Sequence, residues 1–203
     1  MKKRISATID EKTEKLLNSL LKEGKFLCIR RANDISQVKS FVPSPEVGIH
    51  KDPKMGTHHA VDVYHLYKTL GIELNVFSSA LKVNTQYMHC IWFDVKLDKK
   101  ITRDEVIQQF IDNPRVAVTY KKAANLVFSF GREHGHYGRL LNQTVMVLPT
   151  IHVINDNEVI GFSFTPQDGN SILSSVTAVE RFLYPKTYEE KIKCLWPFLL
   201  QEV

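Results

Sequence analysis

The side chains best suited to chemistry in this chain are adjacent pairs of basic residues. Arg30 stands beside Arg31, His58 beside His59, and a further imidazole, His89, follows Met88. A guanidinium offers a planar fork of donors that matches phosphate oxygens. An imidazole offers a donor whose charge is tunable near neutrality. The chemistry these residue types fit is the holding of an anionic group such as phosphate. Arg30 and Arg31 are neighbours on an expected strand, so their side chains point to opposite faces and only one should reach a given site. A solvated strand end would look the same. His58 and His59 follow Gly56 in a stretch rich in turn residues, read as a loop. Such loops carry binding residues more often than strands do. His89 shares a strand face with Tyr87, Ile91, Phe93, Val95 and Leu97, a pattern that a buried core histidine would also show.

Other chemistries fare worse. The three cysteines, Cys28, Cys90 and Cys194, are far apart and form no Cys-x-x-Cys. That argues against a disulfide framework and for a reducing compartment, so a cytoplasmic location is expected. Cys90 adjoins His89 on a strand and faces the other way. Gly131, Gly135 and Gly138 lack the spacing of a dinucleotide-binding turn, so no cofactor is expected to be bound by this chain alone. His134 and His136, even with His152, lack a carboxylate or thiolate at familiar metal-ligand spacing, and no metal is expected.

These residues need a scaffold, and 203 residues suffice for one domain with a short appendage. The formal charge of +5 favours anionic partners such as phosphates or nucleic acid. No apolar run approaches the ~20 residues of a membrane span. The basic start Met1-Lys2-Lys3-Arg4 is followed by no apolar stretch of the signal-peptide kind. Arg4 to Ile9 alternates as a strand. Asp10 then caps a helix striped by Leu16, Leu17, Leu20 and Leu21, which Gly24 is expected to end. Strands follow at 26–31, 72–81, 86–97 and 116–119, with residues 41–62 as an ordered loop. Thr102-Arg103-Asp104-Glu105 is a capping box for a helix to about Asn113. Residues 144–154 and 158–164 form a hairpin around Asn155-Asp156-Asn157. Helices are expected at 172–183 and after a second capping box at Thr187-Tyr188-Glu189-Glu190. The sum is an α+β domain, a mixed and mainly antiparallel sheet with helices packed on it. The expected divisions are a strand–helix lead-in over 1–25, a main domain over 26–184 and a C-terminal helix over 185–203.

Local patterns now fall in order. They are Arg30-Arg31-Ala32-Asn33-Asp34, Val42-Pro43-Ser44-Pro45, and Thr57-His58-His59-Ala60-Val61-Asp62-Val63. Next come Met88-His89, Thr102-Arg103-Asp104-Glu105-Val106-Ile107, Asn113-Pro114-Arg115-Val116 and Gly138-Arg139-Leu140-Leu141-Asn142. Over roughly residues 27–182 this order resembles the C-terminal, catalytic domain of archaeal-type glyceraldehyde-3-phosphate dehydrogenases. The resemblance implies that Arg30, Arg31, His58 and His59 hold phosphate groups and that His89 is the catalytic histidine. It also implies an NAD(P)-dependent, phosphorylating aldehyde dehydrogenase activity built on a cysteine nucleophile.

Two departures qualify that expectation. Where the family has Ser-Cys-Asn-Thr, this chain has Ile5-Ser6-Ala7-Thr8, and no NAD(P)-binding domain is evident in the sequence. The expected protein is therefore a pseudoenzyme that binds phosphate or a sugar phosphate, not an active oxidoreductase as an isolated chain. A second expectation is half of a split dehydrogenase acting with a separate NAD(P)-binding chain. A third is a DNA-binding regulator, because Lys2 to Glu11 before the leucine-striped helix resembles ribbon-helix-helix proteins. The family resemblance also implies a homo-oligomer.

Overall fold

The structure is a computed structural model that describes residues 21–32, 42–69, 71–85 and 87–203. The expected strand at 4–9, most of the expected leucine-striped helix and the segment expected to bind DNA lie outside the described residues.

Among the described residues eight strands make one sheet in the order β2-β3-β1-β4-β8-β6-β5, with β7 paired to β8. They are β1 (Leu21–Arg30), β2 (Glu46–Val47), β3 (Val76–Lys82), β4 (His89–Leu97), β5 (Val116–Thr119), β6 (Thr144–Val147), β7 (His152–Ile154) and β8 (Glu158–Thr165). The helices are α1 (His58–Lys68), α2 (Arg103–Asp112), α3 (Ala124–His134), α4 (Gln167–Leu183) and α5 (Tyr188–Ile192). The pairs β1·β3 and β5·β6 are parallel, and the other pairings are antiparallel. Parallel neighbours need a long crossover. α1 lies in the one that joins β1 to β3, and α3 in the one that joins β5 to β6. This is the expected α+β architecture with a mixed, mainly antiparallel sheet.

Strand alternation divides the core in two. Ala117, Val145, Val147 and Phe164 pack with Met88, Val127 and Leu140 on the α3 side. Val118, Met146 and Val159 pack with Phe93, Val106 and Ile151 on the α2 side. Successive residues of β5 and β6 thus feed opposite faces, as a sheet covered on both sides requires.

The Thr102 capping box forms as expected. Glu105 donates its backbone N–H to Thr102 Oγ1 at 3.3 Å, and its carboxylate accepts the Thr102 N–H at 2.8 Å. The hairpin turn also forms, with Asn155 and Asp156 at φ 50° and 62°. Other expectations are corrected. Gly24 does not stop a helix. It lies inside β1, opposite Val76 and Val95, where a Cβ would come within 3.1 Å of the Phe26 ring. His58 and His59 are not in a loop but open α1. Residues 144–154 are not one strand, because a 3-10 turn at Leu148–Thr150 holding Pro149 breaks them. Thr187 precedes α5, but its side chain makes no capping bond. Helix α3 was not anticipated at all.

Candidate functional site

The basic residues gather where β1 ends. Arg30 is exposed there and lines a cleft of about 480 Å³ with Gly48, Lys51, Asp52, Thr57 and His58. The cleft opens onto the N-terminus of α1. Thr57 occupies the N-cap position, yet its side chain makes no capping bond. Its hydroxyl is hydrogen-bonded to Ser78 Oγ of β3 at 2.6 Å, and Ser78 Oγ accepts the Ala60 N–H at 3.0 Å. The neighbouring strand therefore caps the helix. Gly56 makes this approach possible: its φ is 79°, and a Cβ would collide with the Ser78 carbonyl oxygen. No acidic residue lies in the first turn of α1. The positive end of the helix dipole is thus not neutralised locally. The one carboxylate lining the cleft among the described residues, Asp52, is engaged by the N–H groups of Met55 and Lys54, each at 2.8 Å. Those bonds hold its carboxyl below the usual range, Met55 contributing most.

The two histidines of α1 diverge in role although their rings lie 4.0 Å apart. His58 is exposed and faces the Arg30 cleft. His59 lines a different cavity, of about 380 Å³, with Phe26, Cys28, Val76 and Ile91. Its Nε2 is buried and has no hydrogen-bond partner among the described residues. Burial, then the charges of His58 and Arg30, lower its pKa from the ordinary value of 6.5. His59 is therefore neutral at pH 7 and contributes no charge to an anion site.

Arg31 lies on the other side of β1. Its side chain is 5% exposed and its Nη2 sits 3.4 Å from Asp168 Oδ1 in the first turn of α4. Its backbone N–H donates to Nδ1 of His89 at 3.0 Å. Because Nδ1 accepts, the neutral ring carries its proton on Nε2. The space beside Arg31, walled by Tyr87, Phe128, Arg139 and Asp168, is about 30 Å³, room for one water.

The structure thus brings Arg30 and His58 into one cleft and joins Arg31 to His89 beside another, with His59 turned into a third. All sit around the end of β1. Lys51 and Asp168 were not identified from the sequence. Lys51 stands in the turn-rich stretch before Gly56, and Asp168 follows Gln167 at a helix start. Position along the chain was the only available signal for either. His134, His136 and His152 do not converge, and no group of three or more metal-ligating side chains occurs among the described residues. Among those residues no helix is long and apolar enough to cross a membrane.

No protein-family model matches the chain. Curated relatives do. Glyceraldehyde-3-phosphate dehydrogenase of Hyperthermus butylicus is 28% identical over 172 residues, 81% of this chain and 48% of that protein. The enzyme of Methanothermus fervidus is 26% identical over 184 residues, 86% of this chain and 50% of its own. Glyceraldehyde-3-phosphate dehydrogenase 1 of Methanosarcina barkeri is 33% identical over 97 residues, 47% of this chain and 27% of its own. This chain is a homologue of archaeal glyceraldehyde-3-phosphate dehydrogenases. It spans about half the length of the first two relatives. That extent and the α+β sheet are consistent with a counterpart of the dehydrogenase catalytic domain.

A cysteine acts as a nucleophile only as the thiolate. Burial raises the Cys28 thiol, and raises Cys90 to about 11, so both are protonated at neutral pH. The segment Ile5-Ser6-Ala7-Thr8 lies outside the described residues.

Proposed function

We propose that this glyceraldehyde-3-phosphate dehydrogenase-like domain binds phosphate or the phosphate of a sugar phosphate, without redox activity as an isolated chain. The observation that carries the proposal is the cleft holding Arg30, Lys51 and His58 on the acid-free N-terminus of α1. Cationic side chains and the positive end of the α1 dipole meet there, the arrangement in which proteins hold phosphate oxygens. The buried, protonated thiols of Cys28 and Cys90 support the non-redox part. His89, whose Nδ1 accepts the Arg31 N–H, is the candidate acid–base residue of this reading. Calorimetric titration with inorganic phosphate and with glyceraldehyde 3-phosphate tests the proposal. Saturable heat at millimolar ligand or below is expected, and its absence for both ligands refutes it.

A second reading adds a partner. The chain matches half of its relatives, and α4 exposes an apolar stripe at helical spacing: Ile172, Val179, Phe182 and Leu183, the most open being Phe182 at 79%. This stripe suits an NAD(P)-binding unit, on this or a separate polypeptide, which would bring the cofactor. A sheet face also suits self-association. Leu27, Trp92 and Phe162 lie in register across β1, β4 and β8, and each is only half-buried. Light scattering above the monomer mass of 23.4 kDa is expected if this face pairs with a second copy. A reducing, cytoplasmic setting belongs to the same proposal.

A further inference from the structure

His134 and His136, which take no part in the phosphate cleft, lie in an unusual turn. α3 ends at His134. Beyond Gly135, His136 and Arg139 form an isolated antiparallel bridge, and the Arg139 N–H donates to the His136 carbonyl at 3.1 Å. The two residues between them, Tyr137 and Gly138, have φ of 53° and 73°. Both are in the left-handed region, as in the type I′ turn that favours Asn and Gly. A tyrosine at the first position is strained, and strain of this kind is a pointer to function. Here it holds the Tyr137 side chain 87% exposed at the tip of the turn.

The rings around it are supported from behind. His136 lies 4.2 Å from Phe198 and 4.6 Å from Tyr137, and His134 lies 4.6 Å from Phe130. Phe130 is half-buried against the core and carries the Lys121 ammonium 4.8 Å from its centroid. His134, His136 and Tyr137 are exposed, with Lys122 and Arg132 also exposed on the flanking chain. The nearby acid, Glu133, is tied to Arg132 at 3.2 Å.

Exposed rings packed against the half-buried Phe130 and against Phe198, with cations beside them on a chain of charge +5, make a stacking platform next to a positive surface. Single-stranded nucleic acid supplies both complements, unpaired bases for the rings and phosphates for the cations. A duplex keeps its bases stacked inside and cannot use the rings. The geometry points to this face, formed by His134, His136, Tyr137, Lys121 and their supports Phe130 and Phe198, as a binding surface for single-stranded nucleic acid. It shares no lining residue with the Arg30 cleft and stands independently of the phosphate proposal.

The test is fluorescence anisotropy of a labelled oligouridylate titrated with the full chain. Saturable binding is expected at low salt with a Kd of about 1–100 µM, weakening steeply as salt rises. Tyr137→Gly suits the turn and so leaves the fold intact. It should weaken binding about tenfold, as loss of one stacked base does, and the double variant H134S/H136S should weaken it further. Arg30→Ala should leave it unchanged. The inference is overturned by no saturable signal, undiminished binding by Tyr137→Gly, loss of binding by Arg30→Ala, or tighter binding to a duplex of the same length. Anionic phosphatidylserine vesicles that bind the native chain and Tyr137→Gly alike, and displace the oligonucleotide, would also overturn it.

Discussion

The backbone N–H of Arg31 donates to Nδ1 of His89 at 3.0 Å and so joins the end of β1 to the start of β4. That bond helps orient the imidazole and leaves the neutral ring's proton on Nε2. Nitrogen chemical shifts of His89 at neutral pH should therefore report the Nε2–H tautomer. His89→Ala removes the acceptor and should cost about 1–3 kcal/mol, with faster exchange of the Arg31 amide proton. His89→Asn, whose side-chain carbonyl can accept, should restore part of the protection. An Nδ1–H tautomer in the native chain would contradict the assignment.

Arg30 and Lys51 should differ in their effect on phosphate binding. Arg30→Ala removes the guanidinium fork at the end of β1 and should weaken binding at least about tenfold, the scale of a charge-assisted hydrogen bond. Lys51→Ala removes a point charge and should weaken it by a smaller factor. Calorimetry on the two variants checks the order. Equal affinities in both variants and the native chain would remove the cleft from consideration.

Ser78 should matter to α1 more than any residue of the helix's own N-terminus. Ser78 is 1% exposed, meets Thr57 Oγ1 and accepts the Ala60 N–H. Ser78→Ala should destabilise the protein by about 1–2 kcal/mol, read as the shift of a urea denaturation midpoint, and should weaken phosphate binding by displacing His58. An unshifted midpoint would deny Ser78 its capping role.

His59 gives the fold an acid sensitivity. Its pKa is lowered in the native state, chiefly by burial. Between that lowered value and the ordinary 6.5, the unfolded chain binds more protons than the folded one. Stability therefore rises with pH through this window, is full above it, and is lost as pH falls below 6.5. Thermal melts from pH 7 to pH 5 should show a falling midpoint in the native chain and a shallower fall in His59→Leu. Parallel curves would show that His59 does not contribute.

What could be read from the sequence was local. The Thr102 capping box and the Asn155-Asp156-Asn157 turn formed because their hydrogen bonds and dihedrals are set within a few residues. Helix α1 was hidden because its first turn is capped by Ser78 of another strand and only Ala60 along it is fully buried, so it shows no strong apolar stripe. Gly24 was misread because a glycine that ends a helix and one that lets a ring approach a strand look alike in one dimension. α3 was missed for a similar reason: its fully buried positions are Val127 and Gly131, and a glycine contributes nothing to a hydrophobic pattern. The residue types of the candidate site were visible, and so was the rule that adjacent strand residues face apart. Which of them share a cleft was not visible, because that depends on how α1 crosses the sheet. Lys51 reaches the Arg30 cleft from the loop before α1 and Asp168 reaches Arg31 from the start of α4, so neither pairing could be read from the sequence.

The most direct test of the phosphate site is a chemical-shift titration of the isotopically labelled chain with inorganic phosphate. The account predicts saturable shifts at the His58 and His59 amides and at the Arg30 side chain, with the Arg139 and Gly138 amides unmoved. Shifts confined to Gly138 and Arg139, or none that saturate, would contradict it.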